Sequence, residues 1–376
     1  MSKITKIQWC HSTVNPIMGC GGCELFRSPG EILTALDKAI GWANGTSRRE
    51  FNALIKRSFK AIQVPENGHT SALTTTNLWH HRELFSDVVL RASGKATAQS
   101  ASRIISESVA CYAARLHCNK ARSIVNPSRG INSGYAPAFE RVTRFPGRIA
   151  AMATAADLLG SDPQGKPWLN GLCRLIFVSD MGDAFSRSVD FDFLETDVIS
   201  AIRSEAGKRH FWLWLTKRPK RMAQFAKRLG NFPRNICAMT TITGPDSLSR
   251  VDELREVNAS VRGLSIEPLR QRLPPERLDL SGISWVILGG ESGRKDHVHQ
   301  FDLEWVVEIR DVCRAHGTAF FLKQLGRRPV DNGRELILKD THGGDWSEWP
   351  NDLRVREIPH EIRSYRQKSV SNAAAA

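Results

Sequence analysis

Several features are missing from this 376-residue chain. No stretch reaches the roughly 18 consecutive apolar residues of a membrane span, so no membrane-crossing helix is expected. The opening MSKITKIQW lacks the apolar core of a secretion signal, which points to a cytoplasmic protein. Disulfides are rare there, so the eight cysteines are expected as thiols, some packed as small hydrophobes and some serving as ligands. No segment repeats itself. Acidic residues are also short: 39 against 53 basic ones, a formal net charge of +14. That excess suits an anionic partner such as nucleic acid, nucleotide or phosphate, and equally a basic surface that merely keeps a protein soluble.

What is present is a globular composition. Hydrophobic residues make up 41% and charged residues 24%, enough for a core and too few charges for general disorder. The length suits one large α/β barrel with an insertion.

From about residue 170 the pattern becomes regular. Short apolar runs stand at RLIFVSD (174–180), HFWLWLT (210–216), NICAMTTIT (235–243), VRGLSIEP (261–268), SWVILGGES (284–292) and AFFLKQLG (319–326). Their length and nearly continuous apolar character fit strands buried on both faces. Between them lie amphipathic stretches such as DFDFLETDVISAIRSEAG and DLEWVVEIRDVCRAHG, each ending at a glycine, a common helix stop. Strand–helix–strand order implies a parallel sheet with right-handed crossovers. A seventh strand is expected at KITKIQW and an eighth near FERVTRF (139–145). The expected fold is therefore a (β/α) barrel, full or partial TIM-type, with an open doubly wound sheet as the alternative.

The barrel is preferred because each run ends in polar residues: Ser179, Asp180 and Asp183; Thr216, Lys217 and Arg218; Thr240 and Thr241; Ser265 and Glu267; Glu291 and Ser292; Lys323 and Gln324. In a barrel such ends converge on the active-site face. Glu267 precedes Pro268, which holds it extended. A carboxylate at the end of an apolar strand needs a partner, and Lys217, Arg218 or Lys323 can supply it; a salt bridge serving only the fold is the plainer reading. Asp180 and Asp183 suit a ribose hydroxyl, a cation or a helix cap. Lys217 and Arg218 suit a carboxylate or phosphate, and so does Lys323, with Gln324 adding hydrogen bonds. GDWSEWP, with Trp346 and Trp349, is either a cover for the barrel mouth or ordinary packing.

Residues 24–110 read differently. SPGEILTALDKAI and SRREFNALIKRSFKAI look like amphipathic helices, each capped by a serine, followed by a Thr-rich stretch and further helix to about Ala110. This is a helical insertion after the first strand. Arg48, Arg49, Lys56, Arg57 and Lys60 could meet phosphates or form a solvated face.

The stretch NPIMGCGGCELF (15–26) carries Cys20 and Cys23, a CxxC pair among glycines that let the backbone wrap closely. A zinc site needs two more ligands, with Cys10, Cys111, Cys118, His11 and His117 as candidates. An iron–sulfur cluster with an open iron needs one more thiolate. Two unliganded thiols on a turn is the plain alternative.

NPIMGC together with CYA (Cys111–Ala113) resembles the three-cysteine motif of an uncharacterised phage-associated bacterial family, sometimes called the phage gp-thirty-seven/gp-sixty-eight family. FVSDMGD, LTKRP, LSIEPL, VILGGESG, FFLKQLG and GDWSEWP match in the family's order, over nearly the whole chain outside the insertion. That family is similar to radical S-adenosylmethionine enzymes. The resemblance implies Cys20, Cys23 and Cys111 as ligands of a 4Fe–4S cluster whose fourth iron is chelated by S-adenosylmethionine, with an external reductant. It implies Gly289, Gly290 and Glu291 as a segment for the methionine amino group, although the family's usual segment follows an earlier strand. Ser179, Asp180, Asp183 and Thr216 complete the expected cofactor-binding set, and Glu267, Lys217 and Lys323 the catalytic one. Two departures stand out: the insertion separates Cys23 from Cys111, and Tyr112 follows the last cysteine where the family's aromatic precedes it.

The expected organisation is a barrel from 1–23 and 111–350, an insertion at 24–110 and a tail at 351–376. The expected chemistry is cleavage of S-adenosylmethionine to a 5′-deoxyadenosyl radical acting on an unknown substrate, leaning toward a nucleic acid or nucleotide. Two alternatives stay open. One is a zinc-stabilised nucleic-acid-binding protein; the other is a metal-free barrel using Glu267 and Lys217 for acid–base work.

Overall fold

Six apolar runs become six strands in the computed structural model, which describes residues 5–40, 48–54, 75–80, 82–121, 134–136, 139–158, 165–293 and 295–365. The chain divides into two compact units: Met1–Pro16, Phe145–Asp180 and Val189–Ala376 form the first, Ile17–Arg144 and Met181–Ser188 the second.

The first unit is built on one parallel sheet: β1 (Ser12–Val14), β2 (Leu175–Val178), β3 (Phe211–Thr216), β4 (Ile236–Thr241), β5 (Val261–Ile266), β6 (Trp285–Gly289) and β7 (Ala319–Gln324), paired in that order. Strict chain order with parallel neighbours is what helical crossovers of one hand produce. The sheet curls into a half-barrel, and among the described residues its end strands β1 and β7 do not pair with each other.

Alternation along each strand divides its side chains between two faces. Leu175, Phe177, Phe211, Leu213, Cys237, Met239, Trp285, Ile287 and Phe321 share one core with Trp9, Leu169, Leu172 and Ile358. Trp212 and Trp214 belong to the opposite set. Trp214 stacks on Phe232 and meets Phe225 edge-on, and Phe225 is buried by the helix Pro219–Leu229. The helix Leu303–His316 is capped by the Asp302 carboxylate, buries Val306, Ile309 and Cys313, and stops at Gly317 in the left-handed conformation (φ 66°), as its sequence indicates. The other amphipathic stretch ends earlier than expected. Asp190 caps it through the Phe193 amide, a π-helical turn occupies Leu194–Ile199, and the helix stops at Arg203. Gly207 instead fills a close approach, where a Cβ would lie 2.2 Å from the Ala201 carbonyl oxygen.

Two expected strands are corrected. The seventh is Ser12–Val14; of the expected segment at 3–9, the described residues 5–9 form no strand. The buried Lys166 ammonium takes the carbonyls of Thr5 (2.7 Å), Ile7 (2.6 Å) and Cys10 (2.8 Å), which bends that segment around a cation and withholds those acceptors from a ladder. Residues 139–145 yield only Thr143–Arg144, antiparallel to Ile17–Met18 in the second unit; they are not an eighth barrel strand.

The edge of β7 is covered by 355–357. Leu322 N–H donates to the Val355 carbonyl and Glu357 N–H to the Phe320 carbonyl, each at 2.9 Å. Pairing an edge in this way removes open ladder groups. Ile358 and Ile362 continue into the core. The Arg356 guanidinium lies 4.1 Å from the Trp168 ring, 4.9 Å from Trp349 and 5.1 Å from Trp346, so both tryptophans of GDWSEWP are engaged in packing around one cation.

In the second unit, helices run at Pro29–Ile40, Thr75–His80, Arg82–Ser93, Lys95–Ser108 and Tyr112–Ala121, with 48–54 also helical. Ser28 caps the first of these as the sequence suggests, and Glu31 completes a capping box with it. Ser28 N–H donates to Glu31 Oε2 (2.7 Å), and the Ser28 hydroxyl oxygen accepts from the Glu31 amide (3.4 Å). The second serine cap, the Thr-rich stretch before Thr75, and Lys56, Arg57 and Lys60 lie outside the described residues; Arg48 pairs with Asp37. Among the described residues no helix is long and apolar enough to cross a membrane.

Candidate functional sites

The cysteine loop is shaped by its glycines. Gly19 has φ +88°, and a Cβ there would lie 2.6 Å from the Phe139 carbonyl oxygen; Gly22 has φ +106°. Both conformations suit glycine and little else. Cys20 N–H donates to the Phe139 carbonyl (2.8 Å), Gly19 N–H to Met181 (3.0 Å), and Cys23 exchanges backbone bonds with Phe26 (3.0 and 2.9 Å).

The insertion leaves and returns at one place. Phe26 bridges Val109. Arg27 N–H donates to the Ser108 carbonyl (3.0 Å) and Cys111 N–H to the Leu25 carbonyl (2.8 Å). Thr75 Oγ1 donates to the Arg27 carbonyl (2.8 Å). These bonds set Cys111 against the strand that leaves Cys23, across a gap of more than eighty residues in sequence. The Cys111 carbonyl accepts from Arg115 N–H (3.0 Å), the first bond of the helix Tyr112–Ala121. Cys111 is thus its N-cap, where the helix field favours negative charge. Cys20 is buried, Cys23 and Cys111 are half-buried, and the Tyr112 side chain is 62% exposed.

Among the described residues no three His, Cys, Asp or Glu side chains are gathered tightly enough to hold a metal ion. Cys20 and Cys23 stand on one loop and Cys111 on the adjoining one, with Gly19 and Gly22 where the chain wraps. The other expected partners are otherwise engaged. Cys10 is fully buried in the sheet core, and burial pushes its thiol far up. His11 Nδ1 accepts from the Leu175 amide (2.9 Å), and burial with the Lys166 and Arg174 charges lowers the ring to about 3. His117 Nε2 donates to the Ala136 carbonyl (2.8 Å), and burial lowers its ring too. The Cys118 side chain lies outside the described residues.

Asp183, in the same unit, accepts from the Phe185 amide (2.9 Å) within a turn, and the next helix is capped instead by Asp190.

In the sheet unit the strand ends carry their own polar groups. Glu267 and Lys323 form an ion pair, with side chains only 16% and 19% exposed. The Glu267–Pro268 peptide is cis. Gly289 sits beside them, where a Cβ would be 3.5 Å from Glu267 Cγ and 3.4 Å from Gln324 Cγ. Lys217 is half-buried, and Thr216 Oγ1 accepts from the Arg218 amide (2.9 Å) at the start of the helix Pro219–Leu229.

Gly290 is required by packing: a Cβ would lie 2.4 Å from the Leu325 carbonyl oxygen. Its carbonyl accepts from Gln324 Nε2 (2.9 Å). Glu291 is buried and bonded to His299 Nδ1 (2.9 Å) and the Arg270 guanidinium (3.5 Å). Burial alone would raise its carboxyl, but the His299 hydrogen bonds and the Arg270 charge hold it below the usual range. Neither partner is legible in the sequence, because Arg270 lies 21 and His299 eight residues away with no shared period.

Ser179 directly follows β2 with φ +67°, a region uncommon for non-glycine residues. Its N–H continues the ladder to the Val14 carbonyl (2.8 Å), while its buried Oγ has no hydrogen-bond partner among the described residues. Asp180 accepts from Asn15 Nδ2 (2.6 Å).

Residues 101–358, well over half of the chain, match the model of a family described as "Protein of unknown function (DUF5131)". Comparisons with curated proteins and with solved structures return no match.

Proposed function

The chain belongs to this family of proteins of unknown function, and from that premise we propose that it is a radical S-adenosylmethionine enzyme whose Cys20, Cys23 and Cys111 hold a 4Fe–4S cluster. The observation that carries the reading is the hydrogen bond from Cys111 N–H to the Leu25 carbonyl (2.8 Å). It sets the Cys111 backbone beside Leu25, two residues past Cys23, which supports a shared ligand set. A bound and reduced cluster supplies the electron for reductive cleavage of S-adenosylmethionine.

The chain's own contributions are orientation and shelter. Gly19 and Gly22 let the loop wrap closely, and the helix beginning at Cys111 sets positive partial charge beside an anionic group. At the strand ends of the sheet unit, Glu267 and Lys323 present a carboxylate and an ammonium already neutralising each other, and Ser179, Asp180, Thr216 and Lys217 stand at the ends of the second and third strands. Such a set suits a polar substrate, and the +14 charge of the chain favours a nucleotide or nucleic acid.

Anaerobic purification and reconstitution test the reading. The expected product is a brown protein with iron and sulfide, which cleaves S-adenosylmethionine once dithionite is added. Alanine at Cys20, Cys23 or Cys111 should remove the iron and the cleavage together. A colourless protein with one zinc after reconstitution would instead support the zinc-stabilised binding protein. Activity that survives the cysteine changes would support metal-free acid–base chemistry.

A further inference from the structure

Besides Thr75, the ladder that joins the cysteine loops is held by the side chain of Arg115. Arg115 stands four residues into the helix that starts at Cys111, and side chains at that spacing lean back over the preceding turn. Its Nε donates to the Val109 carbonyl at 2.6 Å. Val109, fully buried, bridges Phe26, which bridges Cys23. The same arginine gives its backbone N–H to the Cys111 carbonyl. Arg115 therefore grips the segment between Val109 and Cys111 from both ends. Its guanidinium is braced at 5.9 Å from the Trp79 ring, and Trp79 also carries Arg82 at 4.4 Å.

We propose that Arg115 is a positioning residue for the cysteine site: it holds Cys111 in register with the Cys23 loop. The site is the one named in the proposed function, but the register does not depend on which group the thiols hold. The guanidinium stays charged at any working pH and has the planar fork needed to hold a carbonyl from a fixed direction.

Two variants test the register. Arg115→Met removes the donor to the Val109 carbonyl; Arg115→Lys keeps a donor on a different stem. Hydrogen exchange followed by mass spectrometry on the full-length, metal-free chain reads the register. In Arg115→Met, peptides covering 23–27 and 108–112 should exchange at least about tenfold faster, while peptides from β3 and β4 stay unchanged, and Arg115→Lys should recover part of the protection. Unchanged exchange in Arg115→Met, or faster exchange spread equally over β3 and β4, overturns the proposal. Failure of the wild type to take up iron on reconstitution overturns the proposed function and leaves the exchange result to decide the register.

Discussion

The amide of Cys111 donates to the carbonyl of Leu25 at 2.8 Å, so two residues 86 positions apart in sequence are neighbours in one short ladder. With Arg27 bonded to Ser108 and Phe26 bridged to Val109, the helical insertion is closed at its base. A long insertion is tolerated in this form, because closure entropy grows only slowly with loop length.

The loop glycines are not equivalent. Gly19→Ala forces a left-handed residue and a Cβ 2.6 Å from the Phe139 carbonyl oxygen, whereas a Cβ at Gly21 meets nothing within 4 Å. Gly19→Ala should cost about 2 kcal/mol or more and Gly21→Ala within about 0.5 kcal/mol. Chemical denaturation of the two variants checks the contrast, and similar losses would show that the loop can relax around Gly19.

The Glu267–Lys323 pair is mostly buried. Removing one partner strands a charge, so Glu267→Gln or Lys323→Met alone should cost about 2–3 kcal/mol, discounted from a fully buried pair for the remaining exposure. The double variant should lose clearly less than the sum of the two. A double-mutant cycle by urea unfolding measures the coupling; additive losses would mean that the pair contributes nothing as a pair.

Three buried histidines set an acid limit. Burial lowers His11 to about 3 and lowers His117 and His210 below their ordinary value near 6.5. Each is neutral in the folded chain at pH values where the unfolded chain takes up a proton. Their contribution is complete above about pH 6.5 and is lost progressively as pH falls toward the folded values. Unfolding free energy should therefore decline between about pH 6.5 and 5, above the main carboxylate range. His11→Asn, which keeps an acceptor for the Leu175 amide, should flatten that slope; an unchanged slope would remove His11 from the account.

Arg356 bonds the carbonyls of Leu322, Lys323 and Gly344 between aromatic rings. Arg356→Met leaves those acceptors unpaired and should cost about 2–4 kcal/mol, with a change in tryptophan fluorescence from Trp168, Trp346 and Trp349. Arg356→Lys should recover only part of the loss, since an ammonium neither stacks nor forks. Full recovery would show that charge alone suffices there.

Much of the sheet is legible in the amino-acid order. Six strands lie where apolar runs of strand length stand, because strands covered on both faces cannot hide their composition. The Ser28–Glu31 cap and the Gly317 stop are readable for the same local reason. Failures come where a distant group intervenes. Lys166 gathers carbonyls from 5–10 and so moves the first strand to Ser12. Arg270 and His299 hold Glu291, although nothing in the local sequence marks either. The last expected strand fails because 143–144 pairs with Ile17–Met18, outside the parallel sheet.

By itself the sequence determined six of the strands, the helix stop at Gly317 and the presence of a CxxC loop among glycines, since periodicity, capping and backbone freedom act over a few residues. Only the tertiary structure decided that the sheet stays a half-barrel, that Glu267 meets Lys323, and that Cys111 returns to Leu25. Those depend on hydrogen bonds and charges between residues far apart in the chain, whose partners are chosen by packing rather than by spacing.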